Sequence, residues 1–154
     1  MNSNIVKRIF ITFILSVSFA AAACAAPATK QSPSETDGIQ KLVIGISTTD
    51  PHYQNLALTN AINIIEAVPG QVQIEIVVWG PAIPMVLEDS KLKERIQNFL
   101  LMGEIKFTAC GNTLDTLERN TGKTPILIEG VDVYKVGVLR VMQLQNKGYA
   151  FLHY

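Results

Sequence analysis

The sequence predicts an α/β protein: a three-layer, flavodoxin-like domain on a five-stranded, mostly parallel sheet. Three observations point that way. From residue 41 to the C-terminus, short β-branched runs alternate with segments of helical periodicity. Turn and cap residues separate each run from the next. Strands that alternate with helices are joined by crossovers, which cover a parallel sheet on both faces.

The elements follow in order. KLVIGIST (41–48) is a short apolar run with polar flanks, the pattern of a buried strand. In the next segment Asp50 caps a helix, Pro51 occupies its first turn and Pro69-Gly70 ends it. Leu58, Ile62 and Ile65 share a face there, widened by Ala57, Ala61 and Ile64. QVQIEIVVWG (71–80) is a second strand, and AIPMVLEDS (82–90) a helical turn and loop. Residues 90–103 read as a helix with Leu92, Ile96, Phe99 and Leu100 inward, capped by Gly103. EIKFTAC (104–110) is a third strand, and NTLDTLERNTG (112–122) a third helix. A fourth strand falls near 131–136, a fourth helix over 137–148, and YAFLHY (149–154) closes the chain as a fifth strand.

The first 25 residues are not part of this domain. Lys7 and Arg8 precede an apolar stretch from Ile9 to Phe19, and small residues follow, the layout of a secretory signal peptide. Ala23 and Ala25 supply small residues for cleavage after position 25. The alternative is a lipoprotein anchored at Cys24, although Ala21 stands where such signals usually carry leucine. Residues 26–40 are polar and rich in Pro, Ser and Thr, a flexible linker ahead of a domain spanning 41–154. The expected location is periplasmic or secreted, with no membrane association unless Cys24 is lipidated.

Charge and motif content exclude several chemistries. Thirteen basic side chains balance thirteen acidic ones; removing Lys7 and Arg8 with the signal leaves eleven against thirteen, a net charge of −2. No basic stripe exists to hold a nucleic-acid backbone. The loop before the first helix lacks the glycine spacing of a nucleotide- or flavin-binding turn, so a helix cap describes it better than an anion site. His52 and His153 are the only histidines, and no Cys/His spacing suits a metal. No cofactor is expected.

Cys110 is the residue that draws attention. Without Cys24 it is the only thiol, and it closes the third strand directly before a helix. Free backbone N–H groups and the helix dipole favour a thiolate at such a place. Gly111 permits close backbone approach, and Asn112 and Thr113 can cap the helix or bond an anion. The plainer alternative is a buried structural cysteine. If strands one and three are neighbours, as in the flavodoxin-like order, His52 lies beside Cys110 and can stabilise the thiolate or shuttle a proton. Otherwise it is an exposed histidine in a first turn.

Three stretches, LALTNAINIIEAVPGQVQIEIVVWGPAI, IKFTACGNTL and GVLRVMQLQNKGYAFL, together resemble the DsrE/DsrF-like sulfur-relay family over nearly the whole domain. The resemblance implies a five-stranded α/β fold, trimers or hexamers, and a cysteine at position 110 that carries persulfide sulfur in some members. It points to a sulfurtransferase or persulfide carrier that passes sulfur to a thiol-bearing acceptor protein. The alternative is a non-catalytic, oligomeric binding or scaffold module of the same fold. Trp79, Ile83, Met85, Val86 and Leu87 lie in an irregular segment expected to leave some of them exposed as a self-association surface.

Overall fold

The computed structural model describes residues 38–154. The expected signal peptide, nearly all of the expected linker and the lipidation alternative at Cys24 lie outside the described residues. Among the described residues five strands form one sheet: β1 (Gln40–Ile46), β2 (Val72–Val78), β3 (Ile105–Cys110), β4 (Asp132–Tyr134) and β5 (Ala150–His153). Every pairing is parallel, and the order is β4-β3-β2-β1-β5. Four helices connect them: α1 (Pro51–Ala67), α2 (Lys93–Met102), α3 (Gly111–Thr121) and α4 (Gly137–Asn146). A 3₁₀ helix over Gly80–Val86 precedes α2.

Local chemistry sets the boundaries. The Asp50 carboxylate accepts from the His52 backbone N–H at 2.8 Å, and Pro51 fills a position with no need of its own N–H. Gly103 and Gly122 end α2 and α3 at φ 77° and 66°, where a side chain is disfavoured.

Crossover direction decides which face each helix covers. From β1 to β4 the chain steps one way across the sheet, and the right-handed crossover rule puts α1, α2 and α3 on one face. From β4 to β5 it returns across the whole sheet, which sends α4 to the other. The packing agrees. Ile44, Ile76 and Phe107 lie side by side in register, fully buried under Leu58, Ala61, Ile96 and their neighbours. Each such side chain contributes about 1.5–3 kcal/mol. On the opposite face Val43 and Val77 pack with Val141 and Leu144 of α4 in a smaller cluster. The three-layer α/β prediction therefore holds.

Two expectations need correction. Strands one and three are not neighbours, because β2 lies between them. The segment after β2 is not an exposed apolar loop either. The 3₁₀ geometry turns Ala82, Ile83, Met85 and Val86 into the main core, and Trp79 and Leu87 are half-buried. Exposed apolar side chains lie elsewhere, on α4 (Val138, Leu139, Met142) and on β5 (Phe151, Leu152).

Candidate functional site

All five strands run parallel, so their carboxyl ends share one edge of the sheet. The chain leaves β3 for one face and β4 for the other. A crevice must open where adjacent strands send their connections to opposite sides, and ligand sites of open α/β sheets form at such points. Cys110, the last residue of β3, stands at this one.

Its surroundings are mostly backbone. Cys110 is the N-cap of α3, and its sulfur accepts from the N–H of Gly137, the first residue of α4, at 3.3 Å. The Lys135 carbonyl lies 4.0 Å from the sulfur. Thr113 contributes through its hydroxyl. That oxygen accepts from the Gly80 N–H at 3.1 Å, which leaves its own hydrogen free to donate to Cys110. The thiol thus sits between two helix N-termini, each with N–H groups that have no partner within their own helix and with positive dipole character. Burial pushes the Cys110 thiol up. Hydrogen bonding from the Thr113 hydroxyl and the Gly137 N–H, with the nearby Thr113 and Asn112 N–H groups, outweighs it, and the net direction is down. Cys110 is only 7% exposed and free of any disulfide.

Glycines let these elements meet. A Cβ on Gly137 would lie 3.0 Å from the Cys110 Cβ and 3.5 Å from its sulfur. The close approach Gly111 permits is to its own chain: a Cβ there would sit 3.3 Å from Lys135 Cα and from a Val133 methyl. Asn112 is exposed, and its N–H donates to the Lys135 carbonyl at 3.0 Å. These bonds stitch the start of α3 to the β4–α4 connection.

His52 stands apart from this group. It is exposed in the first turn of α1, its ring edge-on to Tyr53, and β2 separates its strand from β3. The histidine on the α4 face is His153, at the end of β5. Its ring stacks on Trp79 with centroids 5.3 Å apart, and Ser47 Oγ lies 2.9 Å from its Nε2. Trp79 in turn borders Gly137, whose Cβ would meet the Trp79 Cβ at 3.4 Å. The sequence puts the KVGV segment (135–138) between the fourth strand and the fourth helix, but not beside Cys110. That placement required the strand order.

Elsewhere the molecule has a cleft of about 420 Å³ near Thr49, Gln54, Asp89 and Lys91. Another, of about 480 Å³, lies near Leu87, Leu117 and Ile126. Neither is lined by Cys110. Among the described residues no group of three or more His, Cys, Asp or Glu side chains converges as a metal site.

No protein-family model matches the chain, and no curated protein does. Solved structures do match. The protein of unknown function MTH1491 from Methanobacterium thermoautotrophicum aligns with a TM-score of 0.67 at 25% identity, over 75% of this chain and 99% of its own. The ychN protein from E. coli aligns at 0.61 and 16% identity, over 75% of this chain and 100% of its own. A conserved protein of unknown function, BT1422 from Bacteroides thetaiotaomicron, aligns at 0.55 and 23% identity, covering 75% and 95%. These neighbours have the DsrE-like fold, and this chain shares it.

Proposed function

We propose that the protein is an exported sulfur carrier of the DsrE/DsrF-like kind, with Cys110 as its working thiol. One observation carries the reading: the Cys110 sulfur lies between the N-termini of α3 and α4 and accepts the Gly137 N–H at 3.3 Å. Donors so placed stabilise an anionic sulfur, whether thiolate or persulfide. In the forward step the Cys110 thiolate attacks the terminal sulfur of a donor persulfide, R–S–SH. A new S–S bond forms at Cys110, the donor's S–S bond breaks, and R–S⁻ leaves. An acceptor thiolate then attacks the same terminal sulfur and releases Cys110 as thiolate. No net oxidation occurs and no cofactor is required.

Incubating the mature protein with inorganic polysulfide should add the mass of sulfur to the peptide containing Cys110, and dithiothreitol should remove it. Absence of the adduct at a thiol that iodoacetamide does label would defeat the proposal. A second reading, an oligomeric scaffold with a structural cysteine, is favoured by the 7% exposure of Cys110. It predicts labelling only after denaturation. Self-association belongs to both readings. It is supported by the apolar side chains that α4 and β5 leave exposed, and light scattering at micromolar concentration tests it.

A further inference from the structure

On the α4 face a charged group is buried against the sheet. Glu75, in the middle of β2, is 3% exposed. Both its oxygens accept from Arg140 of α4, Nε to Oε1 and Nη2 to Oε2, each at 2.7 Å. Thr108 of β3 donates its hydroxyl to Oε1 at 2.7 Å. The Arg140 guanidinium lies 5.6 Å from the centre of the Tyr134 ring, and the Tyr134 hydroxyl donates to Gln143 of α4 at 2.8 Å. Strands β2, β3 and β4 are thus all tied to α4.

We infer that the Glu75–Arg140 pair is a positioning device for Cys110, fixing the first turn of α4 so that the Gly137 N–H meets the sulfur. This deepens the proposed function and rests on it. Arg140 suits the task by position, since its backbone N–H closes the first turn of α4 on the Val136 carbonyl at 3.1 Å. Gly137 lies within that same turn, roughly 4.5 Å away along the helix axis. The apolar contacts of Val141 and Leu144 are non-directional and allow α4 to slide or roll. A two-pronged guanidinium–carboxylate bond permits neither. As a source of stability the pair is a poor choice, because buried ion pairs are often matched by apolar residues of similar size. Setting register is a use for which such pairs are better suited.

The pair acts on Cys110 through α4 and not through space. Glu75 is in register with Lys106, and its carboxylate reaches along β3 as far as Thr108, two residues before Cys110. Neither Glu75 nor Arg140 is among the groups that shift the thiol, which are Thr113, Gly137 and Asn112. Replacing both members also leaves the net charge unchanged.

The test is the pH–rate profile of iodoacetamide alkylation at Cys110, read by peptide mass on the intact folded chain. In a Glu75→Leu/Arg140→Met double variant the profile should move up by about one pH unit, roughly a tenfold slower reaction near neutral pH. Glu75→Gln, which keeps the shape and weakens the fork, should give a smaller upward move. Thermal unfolding is followed in parallel, and the double variant should keep a cooperative transition. A folded double variant with the wild-type profile overturns the positioning role while leaving the working thiol in place. If the double variant does not fold, an unchanged profile in Glu75→Gln overturns the role. A wild-type profile matching that of a short cysteine peptide overturns the working thiol and the positioning role together.

Discussion

The Gly137 N–H donates to the Cys110 sulfur at 3.3 Å, across 27 residues of sequence, and so joins the end of β3 to the start of α4. The contact depends on the missing side chain of Gly137. In a Gly137→Ala variant the new methyl would lie 3.0 Å from the Cys110 Cβ, and α4 must shift to admit it. We expect a loss of about 1–3 kcal/mol in chemical denaturation. An upward move of the Cys110 alkylation profile should accompany it.

Thr113→Val tests the hydroxyl with little change in shape. It removes the donor to Cys110 and leaves the Gly80 N–H without its acceptor. Stability should fall by about 1–2 kcal/mol. The thiol should titrate higher, while Thr113→Ser should restore most of the wild-type profile.

The lowered Cys110 thiol also implies a pH dependence of folding. A group that ionises more readily when folded adds stability as pH rises, fully present above its unfolded value and lost as pH falls through the folded one. Relative to Cys110→Ser, the wild type should gain stability on going from neutral pH towards pH 9.0, the ordinary thiol value. Urea midpoints of the two proteins across that range decide it; parallel curves would contradict the shift.

Glu75 behaves in the same sense at the acid end. Burial raises its pKa, but the hydrogen bonds from Arg140 and Thr108 and the charge of Arg140 bring it below the ordinary 4.5. Its contribution is present above that value and disappears as pH drops through the folded pKa. The Glu75→Leu/Arg140→Met variant should therefore lose less stability than wild type between pH 7 and pH 3, measured by thermal melting.

Gly45 carries a prediction of a different kind. The Trp79 indole lies over it, and a Cβ there would be 2.4 Å from Trp79 Cη2 and 3.0 Å from a Phe151 ring carbon. Gly45→Ala should displace the indole and break its stacking on His153. Trp79 is the only tryptophan, so its fluorescence reports the change directly. An unaltered emission spectrum would show that the indole had not moved.

Much of this fold was legible in the sequence because its elements are strongly punctuated. Asp50-Pro51, Gly103 and Gly122 mark helix ends by local chemistry that no tertiary contact overrides. Cys110 was legible as the residue between a strand and a helix. Strand order was not, since the apolar patterns of β1, β2 and β3 are alike and none encodes its neighbour. That gap produced the misplaced expectation for His52 and hid Gly137 and His153. The buried fate of Ile83, Met85 and Val86 was hidden too, because a proline-containing 3₁₀ turn has no apolar period to read.

The long return of the chain from β4 to β5 sets an order of events in folding. The last strand pairs with the first across more than a hundred residues, and contacts so distant in sequence form slowly. Until α4 docks, Cys110 lacks the Gly137 N–H and keeps only the donors of α3, so its thiol is less acidic than in the complete domain. During refolding, the appearance of fast alkylation at Cys110 should coincide with the final burial of Val141 and Leu144, making the thiol a timer for completion of the domain.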